Sequence, residues 1–347
     1  MIALKKQNTV PVLARQNMFA SVQSSEIAAF KSDIFDLLTK KHQGNLSRYL
    51  YAPSADMSDT VNGLGLYDHL CSHQHYYLRN AEGSVIAENA KTIADIIGPG
   101  ATVIELGPGP IGAVKRKTNV ILQNLYEPEA YVGIDSCPVI ATQAEALLRA
   151  TYPEMPVKCF NTSFDSVSDI SLSVTKPVFL CLGNTIGNFP KSNVVPNPYT
   201  VDFLKHIHKT IDKNGFVILG QDCNQNKQSL FDAYDNEDAK NWVTNLLDRM
   251  HRDAGVQIDK STVKYYVEWN KDQYCLEMGV EITKDQAVVL DNVYFDLRKG
   301  QKLHLWNSFK YPPHVFQQLT EQAGFETIKI FQDTNGLSAV HVLKVRA

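Results

Sequence analysis

The chain holds six cysteines but no CxxC pair and no spacing that suits a zinc site. Cys71, Cys137, Cys159, Cys181, Cys223 and Cys275 lie far apart, most of them in or beside apolar stretches, where a reduced cysteine packs as a small hydrophobe. No apolar run reaches the length of a membrane span, and the opening MIALKKQNTV carries no signal-peptide core, so a cytoplasmic protein without a membrane partner is expected. Blocks of like charge are missing too. The 34 basic and 37 acidic residues are interspersed to a net charge of -3, and the densest basic run, Lys115-Arg116-Lys117, reads as a solvated loop. A nucleic-acid binder usually shows a basic face, so the expected partner is a small molecule rather than a nucleic acid. His69, His73 and His75 lack an acid or a further histidine at a matching spacing, and they read as a polar helix face with no metal.

What is present is the composition of an ordinary globular chain, 44% apolar and 20% charged. At 347 residues it exceeds the usual single-core size, which favours two domains or one domain with a large insertion. The organising stretch is Ala101 to Pro110, ATVIELGPGP. It reads as a buried strand that delivers Glu105 and then breaks into Gly107 and Gly109, at the end of a parallel strand where open α/β sheets bind ligands. Glycine allows close approach of the backbone to a ribose or phosphate and permits positive φ. With Gly112 the run also satisfies G-x-G-x-x-G, a dinucleotide pattern. The acid two residues before the first glycine instead favours S-adenosylmethionine (SAM).

Further elements follow in order. Helices are expected over Ser25 to Lys40, Gly65 to Gln74 and Ser84 to Ile97, with tyrosines 49, 51, 67, 76 and 77 suited to a pocket wall. After a helix at Thr118 to Leu125, a strand AYVGID ends in Asp135, placed to accept hydrogen bonds from ribose hydroxyls. Pro138 opens a helix to Thr151. Strands at Val157 to Phe160 and Pro177 to Leu182 come next, the first leading into Asn161 to Asp165. The second opens into GNTIGNFP, Gly183 to Pro190, in which Asn188 offers a donor and acceptors. A helix to Ile211 and a strand at Phe216 to Leu219 precede Asp222 and a helical segment from Lys227 to Ala254, interrupted near Asp235-Asn236. A four-stranded antiparallel meander is then expected, at Val263 to Trp269, Tyr274 to Ile282, Ala287 to Leu297 and Gln301 to Trp306. Two closing strands, Thr327 to Phe331 and Ser338 to Val345, imply a hairpin that supplies an antiparallel edge.

The stretches LYDHLCSHQHYY, VIELGPGP, YVGID, FLCLGNTIGNFP, ILGQD, FDAYDNE, VEWN and LEM, taken in order, resemble the SAM-dependent amino-acid Nα-methyltransferases typified by the ergothioneine-pathway histidine enzyme. That family includes fungal relatives acting on prenylated tryptophan. The resemblance implies an α/β fold, a seven-stranded Rossmann-like class I methyltransferase core with a β-rich insertion. Residues 83–223 and 311–347 would form the SAM-binding core, and 1–82 with 224–310 the substrate-binding part. It implies Tyr76, Gly107, Asp135 and Phe164 at the cofactor, where the strand ends and loops themselves also place Glu105, Gly109 and Gly183. Lys117 stands for the family's SAM-contacting lysine across an apparent insertion after Gly109. Asn188 and Tyr234 would hold the carboxylate and amine of the acceptor, with Tyr51 and Tyr67 in the wall.

Two departures bear on specificity. The family's acid beside the adenine-contacting phenylalanine is Ser163 here. Its imidazole-binding glutamate and serine align with Leu305 and Asn307, which would cost histidine a charge-assisted bond of about 1.5–3 kcal/mol. Leu305, Met278 and Trp306 suit a larger, tryptophan-like side chain. Rival readings are a histidine Nα-methyltransferase, an O- or C-methyltransferase of a small aromatic metabolite, a SAM-binding protein without turnover and, last, a dinucleotide oxidoreductase. A monomer or weak dimer is expected.

Overall fold

The computed structural model describes residues 12–39, 46–51, 63–164, 174, 176–190, 192, 197–211 and 214–346. Lys40 and Asp165, where the sequence ends a helix and a loop, lie outside the described residues. Three helices come first: α1 (Val12–Thr39), α2 (Gly63–Ser72) and α3 (Leu78–Ile97). Strands and helices then alternate through β1 (Thr102–Leu106), α4 (Ile111–Ala113), a π turn (Val114–Thr118), α5 (Asn119–Asn124), β2 (Ala130–Asp135), α6 (Pro138–Thr151) and β3 (Val157–Asn161). They continue through β4 (Pro177–Cys181), α7 (Pro198–Thr210) and β5 (Phe216–Asp222).

The inserted segment carries α8 (Lys227–Tyr234), α9 (Glu237–Ala254), β6 (Val263–Asn270), β7 (Cys275–Ile282), β8 (Gln286–Leu290), β9 (Val293–Leu297) and β10 (Lys302–Phe309). The chain closes with α10 (Pro313–Gln322), β11 (Phe325–Gln332) and β12 (Ser338–Val345).

Seven strands form one sheet in the order β3-β2-β1-β4-β5-β12-β11. Every residue of β1, β2, β4 and β5 is buried, which is why these strands read as unbroken apolar runs: helices cover both faces. This is the Rossmann-like methyltransferase arrangement expected. One detail differs. The reversed strand is β12, antiparallel to both β5 and β11, so it lies inside the sheet and the edge strand β11 runs with the others.

Two further expectations are corrected. Lys115-Arg116-Lys117 do not form a loop; they lie in the π turn, which joins α4 to α5 as one helical path. A π turn accommodates an added residue without ending the helix. The meander is a three-stranded sheet, β10-β7-β6, plus a separate β8-β9 hairpin. Asp291 and Asn292 take positive φ of 46° and 66°, the conformation of a two-residue hairpin turn, and so divide the apolar run 287–297 in two. The predicted break in the long helical segment stands, because the Asn236 side chain caps α9 by accepting from the Ala239 amide at 3.0 Å.

One core lies on each face of the large sheet. A third joins α1, α2 and the Leu46–Tyr49 turn to α8, α9 and the small sheet, through Phe30, Leu70, Trp242, Leu246, Met278 and Leu305. Among the described residues no helix is long and apolar enough to cross a membrane.

Candidate active site

The carboxyl ends of β1, β2 and β4 open onto a cleft of about 1720 Å³. Gly107 and Gly109 line it with φ of 76° and 72°, a conformation that side chains resist. A methyl group on Gly107 would touch the Phe164 ring at 3.4 Å and the Thr185 hydroxyl at 3.5 Å. Ser163 and Phe164, just past β3, are on the same wall, as is Asp135 at the tip of β2. The Asp135 carboxylate is 8% exposed and accepts the Cys137 amide at 2.8 Å. Burial, with some repulsion from Glu105, pushes its pKa up to about 7 against those backbone donors.

Glu105 does not face the cleft, contrary to the placement expected at the cofactor. Its carboxylate turns into the protein, where it accepts from Tyr131 Oη at 2.6 Å and from Thr118 Oγ1 at 2.9 Å. Both oxygens are occupied and the side chain is buried, so its role is to tie β1 to β2 and the π turn.

The loop after β4 is held by an acid that the sequence reading did not single out. Glu82 of α3 is fully buried and accepts the Gly183 amide at 2.7 Å, while its other oxygen pairs with Lys117 Nζ at 2.8 Å. Lys117 and Gly183 therefore meet at the cleft wall, and a methyl on Gly183 would lie 3.0 Å from the lysine nitrogen. Further along the loop, Asn188 lines the cleft; its backbone carbonyl accepts from Ser47 Oγ at 2.9 Å, and its Oδ1 from Trp306 Nε1 at 3.3 Å.

Six aromatic side chains close a ring next to Asn188. Going round, the centroid distances are 5.0 Å for Tyr51–Tyr67, 6.4 Å for Tyr67–Tyr76, 5.6 Å for Tyr76–Tyr234 and 5.9 Å for Tyr234–Trp306. Trp306–Trp242 at 4.8 Å and Trp242–Tyr51 at 5.3 Å complete it. Tyr51, Tyr67 and Tyr76 line the cleft; Tyr234, expected to contact the acceptor, does not, because it stands one ring behind Tyr76 with its hydroxyl turned to Lys310. Burial drives the hydroxyl pKa values of Tyr51, Tyr67 and Tyr76 above the ordinary range, so this wall is neutral.

Behind Tyr234 lies a fully buried ion pair. Lys310 Nζ, at the end of β10, donates to Asp222 Oδ2 at 2.6 Å and to the Tyr234 hydroxyl at 2.9 Å, and Tyr77 donates to the same carboxylate at 2.9 Å. An acid closing the apolar strand FVILGQD was the signal that could have revealed it.

Leu305, Asn307 and Met278 do not line the cleft. A β-bulge between His304 and Trp306 shifts the alternation of β10. Trp306 and Ser308 consequently meet the loop after β4, Trp306 at Asn188 and Ser308 Oγ at Asn184 Nδ2, 3.4 Å. Asn307 turns to His304 Nε2 at 2.7 Å, and Leu305 and Met278 are core residues. A count back from Pro312 could not show which way these side chains turn.

Residues 30–345 match the family model described as "Histidine-specific methyltransferase, SAM-dependent". The chain belongs to this family. Two curated relatives show the level of likeness. N-methyltransferase imqF of Aspergillus flavus is 22% identical over 82% of this chain and 78% of its own. Ergothioneine biosynthesis protein 1 of Neurospora crassa is 23% identical over 77% of this chain but only 30% of that longer protein. Among solved structures, a SAM-dependent methyltransferase from Clostridium acetobutylicum aligns with 82% of this chain and 100% of its own, at a TM-score of 0.43 and 9% identity.

The histidine-specific methyltransferase family uses SAM, and the cleft suits that cofactor. The positive-φ glycines leave backbone room, the buried Asp135 offers an acceptor for paired hydroxyls, and Phe164 lines the wall with an aromatic ring. Among the described residues no cluster of His, Cys, Asp or Glu could hold a metal ion.

Proposed function

We propose that this SAM-dependent methyltransferase methylates the α-amino group of an amino acid with a large apolar or aromatic side chain. The observation that carries this reading is the aromatic ring beside Asn188. Tyr51, Tyr67 and Tyr76 of this ring line the cleft, Trp306 and Ser308 of β10 lie buried behind them against the loop after β4, and β10 brings no carboxylate to partner an imidazole. A histidine side chain would lose a charge-assisted bond there, whereas an apolar side chain loses nothing.

When bound, SAM supplies a methyl group on a sulfonium, an electrophile open to attack by a neutral amine. The residues proposed to hold it are Gly107, Gly109, Asp135, Ser163 and Phe164, with Tyr76, Lys117 and Gly183 at its other end. Asn188 holds the amino-acid head and Tyr234 backs Tyr76 behind it, so that catalysis is mainly positioning. The Trp306 indole holds the Asn188 amide in orientation, and the ammonium of Lys310 holds the Tyr234 oxygen. The neutral tyrosine wall disfavours an ammonium and excludes water, and the proton shed by the amine goes to solvent before transfer. The proposed division into cofactor-binding and substrate-binding parts, with 1–82 and 224–310 carrying the acceptor, is supported by the core that joins α1 and α2 to α8, α9 and the small sheet.

Turnover with tryptophan, phenylalanine, tyrosine and histidine, read by mass spectrometry of the product, tests the proposal. Methylation of histidine in preference to all three aromatic acids would overturn it. Asn188→Ala is expected to raise the KM for the acceptor about tenfold or more while leaving cofactor affinity near its original value. An unchanged KM would remove Asn188 from the acceptor site.

Asp135 gives a pH signature. Its folded pKa of about 7 lies above the unfolded value, so its contribution to stability is present at low pH and is lost as pH rises toward 7. Ligand binding runs the other way, because the ionised carboxylate is the better acceptor for ribose hydroxyls. Affinity for S-adenosylhomocysteine should therefore rise between about pH 6 and 8, and Asp135→Asn should flatten that rise. Equal slopes in the two proteins would place the titration elsewhere.

A further inference from the structure

Of the cations that line the cleft, Lys117, Arg48 and Arg249 pair with Glu82, Asp33 and Glu26, which leaves two arginines that the proposed chemistry does not use. Arg79, in the first turn of α3, and Arg116, in the π turn, both line the cleft. A methyl group added at Gly112 would lie 2.4 Å from a guanidinium nitrogen of Arg79 and 2.9 Å from one of Arg116. The two nitrogens flank one point, no farther apart than the sum of those distances, and Gly112 is what leaves room for them. Among the described residues neither arginine forms an ion pair. Asp68, on α2, is the acid whose negative charge acts on Arg116, and it also lines the cleft; the nearby Cys71 thiol is kept neutral by burial.

Two guanidinium groups held this close repel each other, and desolvation together with Arg79 lowers the pKa of Arg116. Such an arrangement is stabilised by an anion that bridges both forks, and a carboxylate matches their geometry with parallel N–H···O bonds. We infer that Arg79 and Arg116 form a carboxylate-binding subsite on the cleft wall beside the π turn. The carboxylate comes either from the methionine end of the cofactor or from a second acidic group on the acceptor. The latter source rests on the amino-acid reading above.

The test compares the wild-type protein with Arg79→Gln/Arg116→Gln, after equal melting temperatures have shown that both are folded. Calorimetric titration uses S-adenosylhomocysteine and methylthioadenosine, which lacks the amino-acid end. If the cofactor's carboxylate is the ligand, the variant loses about ten- to hundredfold in affinity for S-adenosylhomocysteine and nothing for methylthioadenosine. If the acceptor supplies it, cofactor affinities are unchanged, and L-glutamate, bound more tightly than L-glutamine by the wild type with S-adenosylhomocysteine present, loses that advantage in the variant. Unchanged affinity for all four ligands overturns the subsite. Failure of every amino acid to bind the wild type would instead overturn the amino-acid reading and leave the subsite judged by its cofactor arm.

Discussion

Replacing Lys310 by methionine is expected to lower the unfolding free energy by about 3–5 kcal/mol, the range for breaking a buried ion pair from one side. Asp222 is completely buried, and Lys310 is its closest partner at 2.6 Å. Without the ammonium, the hydroxyl of Tyr77 and the amide of Asn224 would have to support a full charge alone. Burial already pushes the Asp222 pKa upward, and Lys310 pulls it back down; Lys310 itself is held charged by Asp222 and Tyr234 despite burial. The carboxyl group would protonate in the variant. Denaturant titration measures the loss, and Lys310→Met/Asp222→Asn should recover part of it because no unpaired charge remains. The same variants should raise the acceptor KM, since Tyr234 loses the donor that holds its ring in place behind Tyr76. A loss below about 1 kcal/mol in the single variant would show that the pair contributes little.

Gly220→Ala is expected to damage stability and cofactor binding together. A Cβ there would sit 1.7 Å from Glu82 Oε1 and 3.3 Å from the Leu182 backbone, so the carboxylate has to leave. Overpacking of this kind costs about 1–3 kcal/mol. The displaced Glu82 would also release the Gly183 amide and Lys117, two points on the cleft wall. A tenfold or larger rise in the Kd for S-adenosylhomocysteine is expected. Glu82→Gln separates the contributions, because it retains an acceptor for Gly183 but removes the charge opposite Lys117. Normal cofactor affinity in Gly220→Ala would show that the loop after β4 does not depend on this carboxylate.

The strands of the large sheet were legible because burial on both faces forces continuous apolar runs, and the glycines after β1 were legible because their backbone conformation excludes other residues. Asp135 followed from its place at the tip of the second strand. Glu105 misled, since a sequence shows that an acid ends a strand but not which way its carboxylate turns; Thr118 and Tyr131 decide that. Leu305 and Asn307 misled because a count from Pro312 gives position but not facing: Asn307 turns to His304, and Leu305 sits in the core at the bulge between His304 and Trp306. Glu82, Lys310, Arg79 and Arg116 remained hidden for a common reason: each takes its meaning from residues distant in sequence that the fold brings alongside.

The third core has a consequence for synthesis of the chain. The apolar faces of α1 and α2 are covered by α9 and the small sheet, which lie beyond the first five strands in sequence. At ordinary translation rates, roughly 10–40 s separate emergence of these helices from that of their partners. The nascent amino-terminal segment is therefore a natural client for chaperones that shield apolar surface, and truncations ending after β5 should aggregate where the full-length chain does not.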